Sequence, residues 1–369
     1  MRRGLSAHFS FLSVAAAFGV AAAIVPSAKK PDTRPGTFAG DDPARPAVSA
    51  IVAAWNEAAN IDAHIRSFFG MSYPNCELII CAGGSDDTYE RARRYSHPRV
   101  RVIEQIPGEG KQRALARCLP HATGDIIYFT DADCRFDEDA LRQLVEPIIS
   151  GRERAVTGTS HPLESQVNSI LAHHIWARDL AAAARNGEYI DGILGRHAAV
   201  ARSAIDAIGG LDFEAPTGTD YHLAKRLQSA GIRIRYLPHS SIASSYPTTF
   251  DEYRRKQSRW LRNLILFGPK FDARDDVVAT WKTIGLGLVM TGLPVVGLLL
   301  HRIFLLIWAV LIIYASTVRV RQAASASREA TQPFPSRYVV MAPALAMIDF
   351  FVTALPLFDL LSERRRKAW

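Results

Sequence analysis

Short apolar runs and amphipathic segments alternate along the chain from residue 47 onward. The apolar runs are rich in Ile, Val and Ala, which is typical of strands buried on both faces of a sheet. The strands are predicted at residues 47–54, 77–82, 100–103 and 125–129, and the helices between them at residues 57–69, 89–95 and 110–119. This repeated β-α order predicts an α/β fold with a mostly parallel sheet that is covered on both faces.

Three longer apolar stretches follow Trp281, at residues 283–300, 303–318 and 338–361. Each approaches the ~20 residues that a membrane-spanning helix needs. Only His301 and Arg302 separate the first two, so we predict a transmembrane hairpin over residues 281–318. The third is a C-terminal membrane segment interrupted by Asp349 and Pro356, which favours a bent or interfacial helix.

The orientation of these stretches follows from their flanking charges only in part. The basic loop at residues 319–337 is expected to face the cytoplasm. The basic tail at residues 362–369 prefers the same side, which three spans that begin in a cytoplasmic domain do not allow. Charge alone therefore leaves the topology of residues 338–369 open.

The N-terminal segment is apolar and Ala-rich at residues 9–25, and Arg2 and Arg3 precede it. This pattern fits either a cleaved signal peptide or a signal anchor. Length does not separate the two; a function that needs cytosolic substrates would favour an anchor over residues 1–27. Residues 28–46 are rich in Pro, Gly and Asp and form a predicted linker to a domain over residues 47–247.

Composition and charge narrow the class of protein further. The 369 residues carry a formal net charge of +8. The basic residues cluster beside apolar segments, as at residues 254–256 and 364–367, which indicates a membrane surface and not nucleic acid. The cysteines lack Cys-x-x-Cys spacing, so we expect buried thiols and neither a zinc site nor a disulfide framework.

Two carboxylates, Asp131 and Asp133, directly follow the strand predicted at residues 125–129. Ligands of an open α/β sheet bind beyond the carboxyl ends of its strands. Paired carboxylates there suit Mg²⁺ or Mn²⁺ that also contacts a diphosphate. The alternative is a polar turn that caps the helix beginning near Asp137.

Other polar residues follow the first two strands at the same edge of the sheet. They are Trp55, Asn56, Glu57, Ser85, Asp86 and Asp87. Lys111 opens the next helix, where its amine and free backbone N–H groups can meet phosphate oxygens. Each residue alone has a structural explanation as a capping turn or a solvated helix face. Finding all of them at one sheet edge is much less expected by chance, which indicates a shared functional site.

A carboxylate at the predicted start of a later helix is a candidate general base. Asp220 follows Gly218 and Thr219, and an aspartate there also caps a helix. A base must lie within hydrogen-bond reach of the acceptor hydroxyl, which a helix start at a cleft edge allows. Asp191 and Asp212 are competing candidates.

Residues 248–270 are predicted to form an amphipathic helix that lies in the membrane interface. The helix carries Gln257, Arg259 and Trp260. The planar guanidinium of Arg259 suits a diphosphate, and Trp260 can offer a flat face to a sugar. Membrane contact is the alternative role for both residues, and the two roles are compatible.

These features together resemble the family 2 glycosyltransferases. The resemblance is to the membrane-integrated branch that includes cellulose, chitin and hyaluronan synthases and ceramide glucosyltransferase-like enzymes. It covers about residues 48–267 and implies the GT-A fold, a Rossmann-like mixed sheet that binds nucleotide-diphosphate sugars, with transmembrane helices. We match Gln257, Arg259 and Trp260 to that family's Gln-x-x-Arg-Trp motif.

The resemblance also implies roles for individual residues. Residues 55–57 and 85–88 would contact the nucleotide, and Asp220 would act as the base. Asp133 would be the stronger metal ligand, and Asp131 would face the sugar or nucleotide. The chain departs from the family pattern where Thr219 replaces a usual Glu and where Ser244 replaces a histidine that can help the metal. Ala82 also stands where an acid is frequent, which leaves the choice between Asp86 and Asp87 open.

We therefore expect an inverting transfer of a sugar from a nucleotide-diphosphate sugar, with a UDP-sugar as the expected donor, to a lipid or membrane-proximal acceptor. Asp220 would take the acceptor proton, and Arg259 with Lys111 would stabilise the departing diphosphate. A processive polysaccharide synthase is the alternative enzyme, and its channel would need self-association. An inactive membrane-anchored sugar-nucleotide binding protein is the alternative from another class, suggested by Thr219.

The expected location is the inner membrane, as a multi-pass protein with a cytoplasmic catalytic domain. The expected cofactor is a divalent cation, Mg²⁺ or Mn²⁺, and no nucleic-acid partner is expected.

Overall fold

The computed structural model describes residues 47–95, 97–184, 187–330 and 332–360. The predicted anchor at residues 1–27, the linker at 28–46 and the basic tail at 362–369 lie outside these described residues.

Eight strands form one mixed sheet. They are β1 (Val48–Trp55), β2 (Cys76–Gly83), β3 (Val100–Glu104), β4 (Ile126–Thr130), β5 (Ala155–Pro162), β6 (Tyr189–Ile190), β7 (His197–Ala201) and β8 (Ile234–Ser244). Their order across the sheet is β3-β2-β1-β4-β7-β5-β8-β6. The half from β3 to β4 is parallel, whereas β7 pairs antiparallel with both β4 and β5. The prediction of an α/β fold with a mixed sheet is confirmed, and the antiparallel pairs all lie in the half built by the less regular later sequence.

Helices cover both faces of the sheet. On one face lie α1 (Ile61–Phe69), α2 (Thr88–Ala92) and α4 (Glu138–Ile149), and on the other lie α3 (Gly110–Cys118), α6 (Arg202–Ala207) and α7 (Thr219–Ser229). Successive side chains of a strand point to opposite faces. Val52 of β1 therefore packs into the first core while its neighbour Ile51 packs into the second. The four cysteines are free and buried, as expected.

The remaining helices form a second layer of structure beside the sheet. They are α5 (Ile170–Ala184), α8 (Phe250–Phe267), α9 (Arg274–Leu299), α10 (Ile303–Glu329), α11 (Tyr338–Ala354) and α12 (Pro356–Leu360). Three helical stretches, Arg274–Leu299, Ile303–Glu329 and Tyr338–Leu360, are long and apolar enough to cross a membrane, with mean hydropathies of 1.6, 2.2 and 1.9. An apolar cluster that includes Trp176 of α5 and Tyr253 of α8 packs against α10 and α11.

Asp349 of α11 joins these helices through a buried polar network. Its Oδ1 accepts from Arg178 Nη1 at 2.8 Å and from the Tyr253 hydroxyl at 2.7 Å, and His174 Nε2 lies 2.9 Å away. Its Oδ2 accepts from Arg319 Nε at 2.8 Å. Buried charges persist where they are paired and hydrogen-bonded, so Asp349 does not interrupt its helix. The break falls after Ala354, where Pro356 begins α12.

The prediction of a loop at residues 319–337 is partly wrong. α10 continues as a helix through Arg319 to Glu329. The charge of Arg319 suggested an end to the apolar helix, but its guanidinium is 17% exposed because it points inward to Asp349.

Candidate active site

A cavity of about 1080 Å³ lies at the carboxyl ends of the central strands. Six residues predicted from the sequence line it, namely Trp55, Glu57, Lys111, Asp131, Asp133 and Arg259. The parallel pairing of the strands explains why these residues lie close together. Trp55 at the end of β1 pairs with Gly83 at the end of β2, and β4 runs beside β1 and delivers the two aspartates to the same edge.

The two aspartates have unequal surroundings. Lys111 Nζ lies 2.6 Å from Asp131 Oδ1. Burial alone would raise the pKa of Asp131, but the positive charges of Lys111, Arg196 and Arg259 together outweigh burial and lower that pKa. The pKa of Asp133 is raised by burial and by the neighbouring Asp131 carboxylate. Of the two carboxylates, Asp133 is therefore the one whose negative charge is less well compensated by its surroundings.

These two carboxylates fit a hard divalent cation. Among the described residues no group of three or more His, Cys, Asp or Glu side chains is placed to hold a metal. Mg²⁺ is usually held by one or two carboxylates together with substrate phosphates and water. The pair Asp133 and Asp131 meets that requirement, and a bound cation would relieve the repulsion that raises the pKa of Asp133.

Glu57 lies on the other side of the same carboxylates. Burial raises its pKa to about 7, and the charges of Asp133 and Asp131 add to this effect. Its side chain accepts a hydrogen bond of 2.9 Å from Asn60 Nδ2. Because three acids share this part of the cavity, protonation of Glu57 relieves their repulsion at neutral pH and below.

Three of the predicted residues do not line the cavity but hold the loops beside it through hydrogen bonds. They are Asn56, Ser85 and Asp86. Asn56 has a left-handed backbone (φ 59°), and its Oδ1 accepts from the Ser85 N–H at 2.7 Å. Asp86 accepts from the N–H groups of Ala58 and Thr88 at 3.1 and 3.0 Å. Asp87 is exposed at the start of α2 and is also outside the cavity lining. The structure thus brings Asp86, more than Asp87, into contact with the first loop.

Asp220 lies at the cavity's edge and does not line it directly. Gly218, in the left-handed region (φ 69°), precedes α7 and turns the chain into the helix. Asp220 Oδ1 is then 3.9 Å from Lys111 Nζ, and its side chain is 45% exposed. A Cβ at Gly195 would overlap this carboxylate, so the glycine makes room for it.

The competing carboxylates lie elsewhere. Asp191 is exposed and accepts a hydrogen bond of 3.0 Å from Gln228. Asp212 is exposed too, and neither residue lines the cavity. Of the three candidates, Asp220 is the one in contact with a cavity-lining residue.

α8 presents Arg259 to the cavity but turns its neighbours elsewhere. Trp260 is 58% exposed, and neither it nor Gln257 lines the cavity. The spacing also corrects the motif assignment, because a single residue separates Gln257 from Arg259 where Gln-x-x-Arg-Trp has two. The residue three before Arg259 is Lys256, and it lines the cavity on the same helix face.

Three basic residues of the cavity wall were not predicted as site residues from the sequence, namely Arg113, Arg196 and Lys256. Arg196 precedes β7, and its Nη1 donates to Ser244 Oγ at 3.0 Å. Ser244 ends β8, so only the fold of the sheet brings the two together. Lys256 stood in a basic run that the sequence assigned to the membrane surface. The helical spacing between Lys256 and Arg259 was the one signal that linked it to the site.

Residues 45–263 match the family model described as glycosyltransferase like family 2, which is well over half of the chain. The chain belongs to this family. The predicted enzyme class, a family 2 glycosyltransferase, is thereby confirmed.

Curated relatives of this glycosyltransferase have related names. It is 26% identical over 232 residues to "Probable glycosyltransferase YdaM" of Bacillus subtilis (strain 168), a match that covers 59% of this chain and 55% of the relative. It is 27% identical over 235 residues to "Beta-monoglucosyldiacylglycerol synthase" of Synechocystis sp., which covers 58% of this chain and 47% of the relative. The chain spans about half the length of these relatives.

A solved structure is similar over nearly the whole glycosyltransferase. It is the mannosyltransferase PcManGT from Pyrobaculum calidifontis in complex with GDP-Man and Mn²⁺, with a TM-score of 0.53, 20% identity and coverage of 95% of this chain and 96% of that one. This likeness is one of fold and confirms the expected GT-A architecture.

Proposed function

We propose that this glycosyltransferase transfers a sugar from a nucleotide-diphosphate sugar to a hydroxyl of a lipid acceptor, with inversion at the anomeric carbon. The observation that carries the proposal is the placement of Lys111. Its amine lies 2.6 Å from Asp131 and 3.9 Å from Asp220, so it joins the carboxylates proposed for the donor to the one proposed for the acceptor.

The donor side is built by the loops after β1 and β4 and by the start of α3. Asp133, with Asp131, would hold a divalent cation. Such a cation supplies charge neutralisation to a leaving diphosphate. Lys111 and Arg259 add fixed positive charge, and burial of Lys111 is outweighed by Asp131 and Asp220, which raise its pKa and keep the amine protonated. The mannosyltransferase similar in fold holds GDP-Man and Mn²⁺, so GDP-sugars belong beside the expected UDP-sugars as candidate donors.

The acceptor side begins at Asp220. Its carboxylate takes the proton of the acceptor hydroxyl while that oxygen attacks the anomeric carbon opposite the leaving diphosphate. One carboxylate is sufficient for this step, so Thr219 does not argue for an inactive protein. The 45% exposure of Asp220 leaves its oxygens accessible to a substrate hydroxyl.

A lipid acceptor is supported by the position of the membrane helices. α8 forms part of the cavity wall and leads within a few residues into the candidate span Arg274–Leu299. One relative is named as a synthase of beta-monoglucosyldiacylglycerol. We place the catalytic domain on the cytoplasmic side, where nucleotide sugars are available.

The test uses the full chain in nanodiscs with labelled UDP- and GDP-sugars, Mn²⁺ and a total lipid extract. We expect one labelled sugar on a lipid and loss of transfer in Asp220→Asn with nucleotide affinity retained. Normal turnover of Asp220→Asn would refute the base assignment. A labelled polymer would instead show the processive synthase.

A further inference from the structure

The cavity has a second basic wall that the transfer of a sugar to a hydroxyl does not require. Arg196 and Lys256 lie on this wall, and both are close to the ring of Tyr246. The Arg196 guanidinium is 5.5 Å and the Lys256 Nζ is 4.9 Å from the centre of that ring. Two cations thus share one aromatic ring beside an open cavity.

The ammonium group of Lys256 has hydrogen-bond donors there that lack an acceptor. Its Nζ is buried and has no hydrogen-bond partner among the described residues. The nearest carboxylate is Asp179 of α5, at 3.5 Å and itself 52% exposed. Burial and the charge of Arg196 lower the pKa of Lys256 despite Asp179. A buried ammonium with three donors needs more acceptors than this arrangement supplies.

The carboxylates of the same wall do not meet this need. Glu252 lines the cavity, but its Oε2 accepts from the N–H groups of Thr248 and Thr249 at 2.9 and 3.3 Å at the start of α8. Asp133 and Asp131 attract Arg196 from the donor side. The wall as a whole is positive and suits an anion that arrives with a substrate.

This wall and the proposed nucleotide side are built by different halves of the sheet. The nucleotide side is formed by loops of the parallel half of the sheet, after β1 and before α3. Arg196, Tyr246 and Lys256 come from the other half, at the start of β7, just after β8 and on α8. α8 is also the element that leads into the first candidate span.

We propose that Lys256 and Arg196 bind a phosphate group carried by the lipid acceptor. This inference rests on the proposed function, since it names the chemical class of the acceptor for the same site. The phosphate oxygens would accept from the Lys256 ammonium and the Arg196 guanidinium. The acceptor hydroxyl would be a different group of the same lipid and would lie toward Asp220.

The test measures binding of short-chain lipids to the full chain in phosphatidylcholine nanodiscs by calorimetry. The probes are dihexanoyl phosphatidic acid, the matched neutral dihexanoylglycerol and inorganic phosphate. Each is titrated with saturating Mn²⁺, once with and once without saturating UDP or GDP. We expect phosphatidic acid to bind about tenfold or more tightly than either other probe. Lys256→Gln should lose that preference, and Lys256→Arg should keep it. Arg255→Gln is the matched control, because it removes a neighbouring charge that pairs with Asp251 outside the cavity.

Three results would overturn the inference. Displacement of phosphatidic acid by UDP or GDP would assign the two cations to the donor. Equal binding of inorganic phosphate and phosphatidic acid would contradict a lipid-borne phosphate. If Arg255→Gln lost the preference for phosphatidic acid to the same extent, that preference would come from surface charge and not from Lys256. The proposed function fails if wild type binds no nucleotide diphosphate with Mn²⁺. The lipid titrations without nucleotide test the present inference independently of that result.

Discussion

Replacing Glu57 by Gln should stabilise the protein at alkaline pH. Burial, with Asp133 and Asp131 nearby, raises the pKa of Glu57 from 4.5 to about 7. A carboxyl with a raised pKa in the folded state binds more protons folded than unfolded, so its contribution to stability falls as pH rises from 4.5 to about 7. Gln mimics the protonated acid and can still accept from Asn60 Nδ2.

The size of the effect follows from the shift. At about 1.4 kcal/mol per pKa unit, Glu57→Gln gains at most about 3 kcal/mol at pH 8 and nothing at pH 4.5. For a chain of 369 residues that gain corresponds to a rise of about 4 °C in Tm. Differential scanning fluorimetry in detergent with EDTA measures it across pH. Added Mn²⁺ should reduce the gap, because it neutralises Asp131 and Asp133.

Glu77→Gln serves as the control of opposite sign. Glu77 accepts from Ser49 Oγ and the Thr123 N–H at 2.6 Å each. These bonds outweigh burial and lower its pKa, so its stabilising contribution is present above the unfolded pKa and is lost as pH falls through the folded one. Glu77→Gln should therefore lower Tm at pH 8. If Glu57→Gln is no more stable than wild type at pH 8, burial and the charges of Asp131 and Asp133 do not destabilise the ionised form of Glu57.

Two further substitutions probe the placement of the base and the docking of the membrane helices. Gly195→Ala should lower kcat about hundredfold with little change in Tm, because the new Cβ would displace the Asp220 carboxylate; steady-state kinetics with unchanged kcat would contradict this placement. Asp349→Asn should cost about 3–5 kcal/mol, because Arg178 and Arg319 lose their buried counter-charge. Thermal unfolding measures that loss against Asp251→Asn, which breaks only the surface ion pairs with Arg254 and Arg255 and should change stability little.

The parallel half of the sheet was predictable because its strands are buried on both faces and each is followed by a polar turn. That pattern alone is enough to predict that Trp55, Glu57, Asp131 and Asp133 lie at one edge of the sheet. The antiparallel strand β7 was not predictable, since its partners β4 and β5 are set by the fold and not by local sequence.

The missed features share one physical cause, which is pairing between distant residues. Asp349 reads locally as an interruption of an apolar helix, yet His174 and Arg178 of α5 satisfy it. Arg196 carries no periodic or motif signal, and Ser244 meets it only in the folded sheet. Contacts of this kind decide which charges are buried and therefore which are functional.

The proposed function assigns Asp133 to the donor and Asp220 to the acceptor of a single sugar transfer. The most direct measurement compares sugar transfer and nucleotide binding, with Mn²⁺, in Asp133→Asn, Asp220→Asn and the control Asp206→Asn, whose carboxylate is exposed and outside the cavity lining. We predict that Asp133→Asn loses both transfer and Mn²⁺-dependent nucleotide binding, that Asp220→Asn loses transfer alone, and that Asp206→Asn keeps both. Full transfer by Asp220→Asn, or loss of transfer in Asp191→Asn instead, would contradict the account.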